Sequence, residues 1–201
     1  MESVDKMVEW AEEYTPPTST PSILEVGSGN GTLLLALLEA SYPAKNLAGI
    51  DYSEDAVRLS KMVAASKDGE DISFNRCDFL TEDPPKLPHM DADESAVWDL
   101  LLDKGTYDAI ALGHKDEQGN SPAARYPARA ARLIKPGGYF LITSCNFTEE
   151  ELKANFISEE TGFQYQCVRH GSSLLYTQYG PQFEDTAPHV HIWWEKRKRC
   201  L

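Results

Sequence analysis

No run of apolar residues in this sequence approaches the ~18 that a membrane span requires. The opening Met1-Glu2-Ser3-Val4-Asp5 is polar and acidic, without the basic-then-apolar pattern of a secretory leader, so a cytoplasmic protein with no membrane partner is expected. Cysteines are few. Cys77, Cys145, Cys167 and Cys200 form no Cys-x-x-Cys pair and no ligand spacing with the five histidines, which excludes a disulfide scaffold and a zinc ribbon. They are expected as reduced thiols, and no metal is expected. Basic charge is in the minority: 19 Lys and Arg stand against 32 Asp and Glu, for a net charge of −13. A chain of that balance lacks the electrostatic footprint of a nucleic-acid binder and suits a basic partner.

What is present is ordinary globular material: 41% hydrophobic and 25% charged residues in 201. One domain spanning 1–201 is expected, acting as a monomer. Val4, Met7, Val8 and Ala11 space a helix over 4–14, and the prolines at 16, 17 and 21 end it, so residues 1–21 form a helix and a proline-rich lead-in. Short apolar strands follow at 22–26, 47–51, 72–76, 97–103 and 139–144. Helices are expected at 32–40, from the Ser53 cap to about 66, at 121–134 closed by Lys135-Pro136-Gly137-Gly138, and after the capping box at Thr148. Residues 81–96 are an acidic loop without periodicity, read as plain surface in preference to a guide for a basic substrate. Two late strands near 173–178 and 189–194 have no helix between them and read as a hairpin. Residues 173–201 are thus a hairpin with a basic tail, in which Lys196-Arg197-Lys198-Arg199 is solvated and Trp193-Trp194 covers the sheet.

Five alternations of strand and helix predict an α/β, doubly wound, mostly parallel sheet. Ligands of such sheets bind beyond the carboxyl ends of the strands. The first of those ends is Gly27-Ser28-Gly29-Asn30-Gly31. A dinucleotide fingerprint wants its third glycine where Thr32 stands, and a phosphate loop wants a lysine that is absent.

The run Ile23-Leu24-Glu25-Val26-Gly27-Ser28-Gly29-Asn30-Gly31 resembles the first motif of the seven-stranded S-adenosylmethionine-dependent methyltransferases. That resemblance implies a Rossmann-like seven-stranded sheet ending in an antiparallel hairpin. It implies cofactor contacts from Glu25, Gly27, Gly29 and Gly31, from Asp51 toward the ribose hydroxyls, and from Asp78 and Phe79 toward the adenine. The plain readings of Asp51 and Asp78 are a helix-start acid and a turn residue. Asp103-Lys104-Gly105-Thr106-Tyr107-Asp108-Ala109-Ile110 and Phe140-Leu141-Ile142-Thr143-Ser144-Cys145-Asn146-Phe147-Thr148 are similar to signatures of the lysine methyltransferases of elongation factor 1-alpha. From them follow Asp103 and Asn146 as catalytic residues, with Asp103 facing the space between donor methyl and amine. A methionyl-binding or helix-capping role for Asp103 is the alternative. The function implied is lysine methylation of elongation factor 1-alpha, with S-adenosyl-L-methionine as cofactor and S-adenosyl-L-homocysteine as product. A small-molecule methyltransferase and a silent binding subunit of the same fold are the competing readings.

Overall fold

Val4, Met7, Trp10 and Ala11 recur at helical spacing and bury one face of the helix Glu2–Tyr14 (α1). Trp10 stacks on Tyr14 with centroids 4.8 Å apart, and Pro16 and Pro17 carry the chain out of the helix. The computed structural model describes residues 2–115, 117–166 and 189–194. Every residue of the strand Ile23–Val26 (β1) is buried, as a strand covered on both faces requires. Then come helix Thr32–Glu39 (α2), strand Leu47–Asp51 (β2), helix Glu54–Ala65 (α3) and strand Ser73–Arg76 (β3). The chain continues through strand Trp98–Lys104 (β4), helix Thr106–Ala111 (α4), helix Tyr126–Leu133 (α5) and strand Ile134–Ser144 (β5). Helix Glu149–Phe156 (α6), strand Gln164–Gln166 (β6) and strand His189–Trp194 (β7) complete the described elements. Ser53 accepts the Ala56 N–H, and the Thr148–Glu151 capping box forms, so two helix starts are where side-chain chemistry puts them.

The sheet order is β3-β2-β1-β4-β5-β7-β6, and its pairings are parallel. The chain starts in the middle at β1, moves outward to β3, and returns to the other side of β1 as β4. Between β1 and β4 lies the switch point, where the connecting loops diverge and leave a crevice. α1, α2 and α3 cover one face through Met7, Leu33, Leu37 and Val57; α4, α5 and α6 cover the other through Tyr107, Tyr126 and Phe156, which pack toward Phe140 of β5. Each such side chain, fully buried, contributes about 1.5–3 kcal/mol. Among the described residues no helix is long and apolar enough to cross a membrane.

Two expectations are corrected. The stretch 121–134 is not one helix. Ser121 caps a 3-10 turn at Pro122–Arg125, α5 follows, and Ile134 already pairs with Trp98 in the sheet. The next pairing is Leu100 with Tyr139, so 135–138 bulge out within β5 instead of stopping a helix, with Gly137 at φ +74°. Nor is there an antiparallel hairpin among the described residues. Residues 173–178 lie outside them, while β7 runs parallel to β5 and is flanked by β6, a strand that no alternation in its own three residues announces. The start of the acidic stretch is tied to its neighbours: Glu82 binds Arg76 and the Asp78 N–H, and Asp83 binds Arg129 and Arg132. The tail 195–201 and the side chains of Trp193 and Trp194 lie outside the described residues.

Candidate active site

The loop after β1 is tied to β2 by the N–H groups of Gly27 and Ser28, both donating to the Ile50 carbonyl at 2.8 and 2.9 Å. Its three glycines have positive φ, but they do different work. A Cβ on Gly27 would lie 2.0 Å from the Thr106 hydroxyl, which itself donates to the Val26 carbonyl. A Cβ on Gly31 would lie 2.9 Å from the Phe74 ring. These two glycines admit other parts of the protein. Gly29, at φ +54°, has nothing within 4 Å of its missing Cβ and faces open space.

Asp51 ends β2 and holds this loop: one carboxylate oxygen accepts the Gly29 N–H and the other the Ser53 N–H, each at 2.9 Å. Within β1, just before the loop, Glu25 is 1% exposed, and its Oε2 has no hydrogen-bond partner; neither does the buried hydroxyl of Ser28 in the loop. Burial pushes the Glu25 carboxyl up to about 8, against the charge of Lys104 and with help from Asp103 and Asp51. Two unpaired polar atoms buried in and just before the glycine loop are costly, and a hydrogen-bonding ligand would satisfy them.

Asp103, expected to face the ligand space, is 0% exposed. One of its oxygens accepts the Thr106 N–H at 2.8 Å; the other accepts the Tyr107 N–H at 2.9 Å and the Tyr126 hydroxyl at 2.5 Å. Burial raises its pKa to about 7 in spite of these three donors. A carboxylate so enclosed starts α4 and locks it to α5. The helix-capping alternative is therefore the one that the geometry supports. Asn146 stands exposed in the loop after β5, its N–H donated to Ser144 Oγ at 3.2 Å.

Asp78 spends its carboxylate on the Leu80 N–H and the Thr81 hydroxyl, as a turn residue does. The Phe79 ring is buried against Tyr126 at 4.6 Å, with the Arg129 guanidinium over it at 5.7 Å, which leaves it little free surface. The strand ends thus bring Glu25, Gly29, Asp51, Asp103 and Asn146 to one edge of the sheet. Tyr126 and Ser28 went unnoticed in the sequence. A phenol 23 residues from Asp103 carries no local signal, and a serine between glycines reads as filler.

The raised acids carry a pH expectation. An acid whose pKa rises on folding favours the folded state where it is protonated. That contribution is complete below the ordinary values of 4.5 and 3.8 and is lost as pH climbs through about 7 to 8. Between pH 5 and 8 the ligand-free protein should lose a few kcal/mol, on the order of 1.4 per pKa unit. Melting temperatures across this range should fall, and Glu25→Gln should flatten the slope; a profile equally steep in the variant would remove Glu25 as the cause.

The profile of the family described as a methyltransferase domain matches residues 17–201. The chain is 35% identical over 167 residues to protein-lysine N-methyltransferase efm4 of Schizosaccharomyces pombe, covering 77% of this chain and 67% of that protein. It is 32% identical over 155 residues to EEF1A lysine methyltransferase 2 of Homo sapiens, covering 77% and 60%. The chain spans 54% to 67% of the length of these relatives and of the Saccharomyces cerevisiae EFM4 protein, to which it is 38% identical over 135 residues. The PH0226 protein from Pyrococcus horikoshii, 17% identical with 70% of this chain and 56% of that one covered, shares the fold at a TM-score of 0.51. With a glycine loop, acids at the strand ends and a family match over residues 17–201, the chain belongs to the methyltransferase-domain family.

Proposed function

We propose that this chain transfers a methyl group from S-adenosyl-L-methionine to a lysine side chain of translation elongation factor 1-alpha, releasing S-adenosyl-L-homocysteine. Three observations carry the cofactor: the open space at the Gly29 Cβ position, the unpaired buried Glu25 and Ser28 atoms of the same strand and loop, and Asp51 bonded to the Gly29 N–H. Those groups fit a ligand with an amine, a ribose and a chain that passes close to backbone. The substrate rests on the relatives, two of which are named as protein-lysine methyltransferases and one for the EEF1A protein that it modifies.

In this reading Glu25 and Ser28 receive the amino-acid end of the cofactor and Asp51 the ribose, while the side chains of Asp78 and Phe79, engaged in their own turn and in the core, leave only the backbone of that turn to border the adenine. Gly27 and Gly31 keep the loop close to α4 and β3, so that Gly29 backbone lies against the ligand. When bound, the cofactor supplies a methyl on a sulfonium sulfur, which leaves as neutral thioether while the amine nitrogen takes the carbon. The protein must align the amine, exclude water and favour its neutral form, since an ammonium has no lone pair. Asn146, exposed at the same edge, offers a side-chain carbonyl to orient the nitrogen. Asp103 acts from below, holding the β4–α4 turn still. The proposal takes residues 1–201 as one catalytic domain, working as a monomer in the cytoplasm on a basic protein, with no nucleic acid, membrane or metal partner.

The test is transfer of labelled methyl from S-adenosyl-L-methionine to purified elongation factor 1-alpha and, separately, to a small-metabolite pool, with mass spectrometry of any labelled protein. Label on a lysine of the factor is expected. Label confined to the metabolite fraction, or cofactor binding with no acceptor at all, would overturn the reading.

A further inference from the structure

Besides Asp103, a second buried carboxylate belongs to the β4–α4 region. Asp108 lies on α4, five residues beyond Asp103, and is only 6% exposed. Neither of its oxygens serves its own helix end. Oδ1 accepts the Ser144 hydroxyl at 2.5 Å, and Oδ2 accepts the Cys145 N–H at 2.7 Å, both from the far end of β5. Ser144 Oγ, its own proton thus committed, accepts the N–H groups of Asn146 at 3.2 Å and Phe147 at 3.0 Å. Three successive amides, 145 to 147, are therefore held directly or through one hydroxyl by a single acid from another element. Phe147 packs on Tyr107, the neighbour of Asp108 on α4, at 5.2 Å between centroids. Nothing in the loop itself dictates this shape; the anchor is tertiary.

Resting on the proposed methyl transfer, we infer that Asp108 is a positioning residue: through Ser144 it sets the loop that presents Asn146 and couples that loop to the β4–α4 turn as one rigid unit. A charged acceptor makes such bonds short and strong, and burial removes the water that would compete for them. An asparagine in its place presents an NH2 where an acceptor is needed. Either the Cys145 N–H or the Ser144 hydroxyl then loses its partner, and the turn must reorganise. A misplacement of about 1 Å at a reacting centre is enough to cost on the order of 100-fold in rate.

The experiment compares the parent, Asp108→Asn, Ser144→Ala and the double variant in three measurements. Amide exchange should quicken at Asn146 and Phe147 in each variant, and at Cys145 wherever Asp108 is replaced. Calorimetry with S-adenosyl-L-methionine should give an affinity within about threefold of the parent, because the glycine loop and Asp51 are untouched. With elongation factor 1-alpha, kcat should fall about 10- to 100-fold at a little-changed KM for the cofactor, and the double variant should be no worse than the poorer single one, as groups acting in one chain behave. Unchanged exchange at 145–147 would overturn the inference. So would losses that multiply in the double variant, or a kcat that falls only in step with the folded fraction measured by melting. Should the parent itself transfer no methyl to the factor, the functional reading fails, while the exchange arm still decides whether Asp108 holds the loop.

Discussion

Gly29→Val is expected to cost at least about 100-fold in affinity for S-adenosyl-L-methionine while the protein stays folded. The reason is the difference among three glycines that look alike in sequence. Nothing lies within 4 Å of a Cβ built on Gly29, so a side chain there starts without a clash and grows into the space proposed for the cofactor. Its own penalty is the left-handed backbone at φ +54°, about 1–2 kcal/mol for a residue with a branched side chain. For a chain of this size that is a fall of roughly 2–8 °C in melting temperature. Gly27→Ala is the contrast. Its methyl would stand 2.0 Å from Thr106 Oγ1, inside any possible contact, so α4 must move and stability should suffer far more. Calorimetry and melting on the pair separate site from scaffold. Parental cofactor affinity in Gly29→Val would remove this loop from the binding site.

Asp103→Asn is expected to lower stability and cofactor affinity together with turnover. The carboxylate accepts two backbone N–H groups and a phenol in a place without solvent. An amide keeps one acceptor and sets its NH2 against donors, leaving at least one buried donor unpaired at about 1–3 kcal/mol, with loss of the charge-assisted bonds besides. A total near 3 kcal/mol corresponds to a drop of about 6–12 °C. Tyr126→Phe removes a donor without stranding another and should cost about 1 kcal/mol. If Asp103→Asn instead melts like the parent, binds cofactor normally and loses about 100-fold in turnover, the carboxylate touches the amine and acts as an acid–base group.

The strands and their order of appearance were legible because period and punctuation are local. Buried β1, the Ser53 cap and the Thr148 capping box each declare themselves within a few residues. The α5–β5 boundary misled for the same reason. Lys135-Pro136-Gly137-Gly138 looks like a helix stop, and only the pairing of Ile134 with Trp98 turns it into a bulge inside a strand. Residues 189–194 have a strand's composition and form β7, yet whether that strand runs parallel or antiparallel depends on the neighbours that it meets.

By itself, then, the sequence determined the α/β class, the glycine turn and the acids that end the strands, since each follows from backbone preferences and spacing over a few residues. It determined the family as well, through motifs that are contiguous. Only the tertiary structure decided what those residues do. It sorted Gly29 from Gly27 and Gly31 by what stands opposite each, left one atom each of Glu25 and Ser28 buried and unpaired, and closed α4 and α5 over Asp103. It also joined Asp108 to Ser144 across 36 residues. Burial and partnership are properties of the space between elements, and a carboxylate that is open to substrate has the same letter in the chain as one enclosed by three donors.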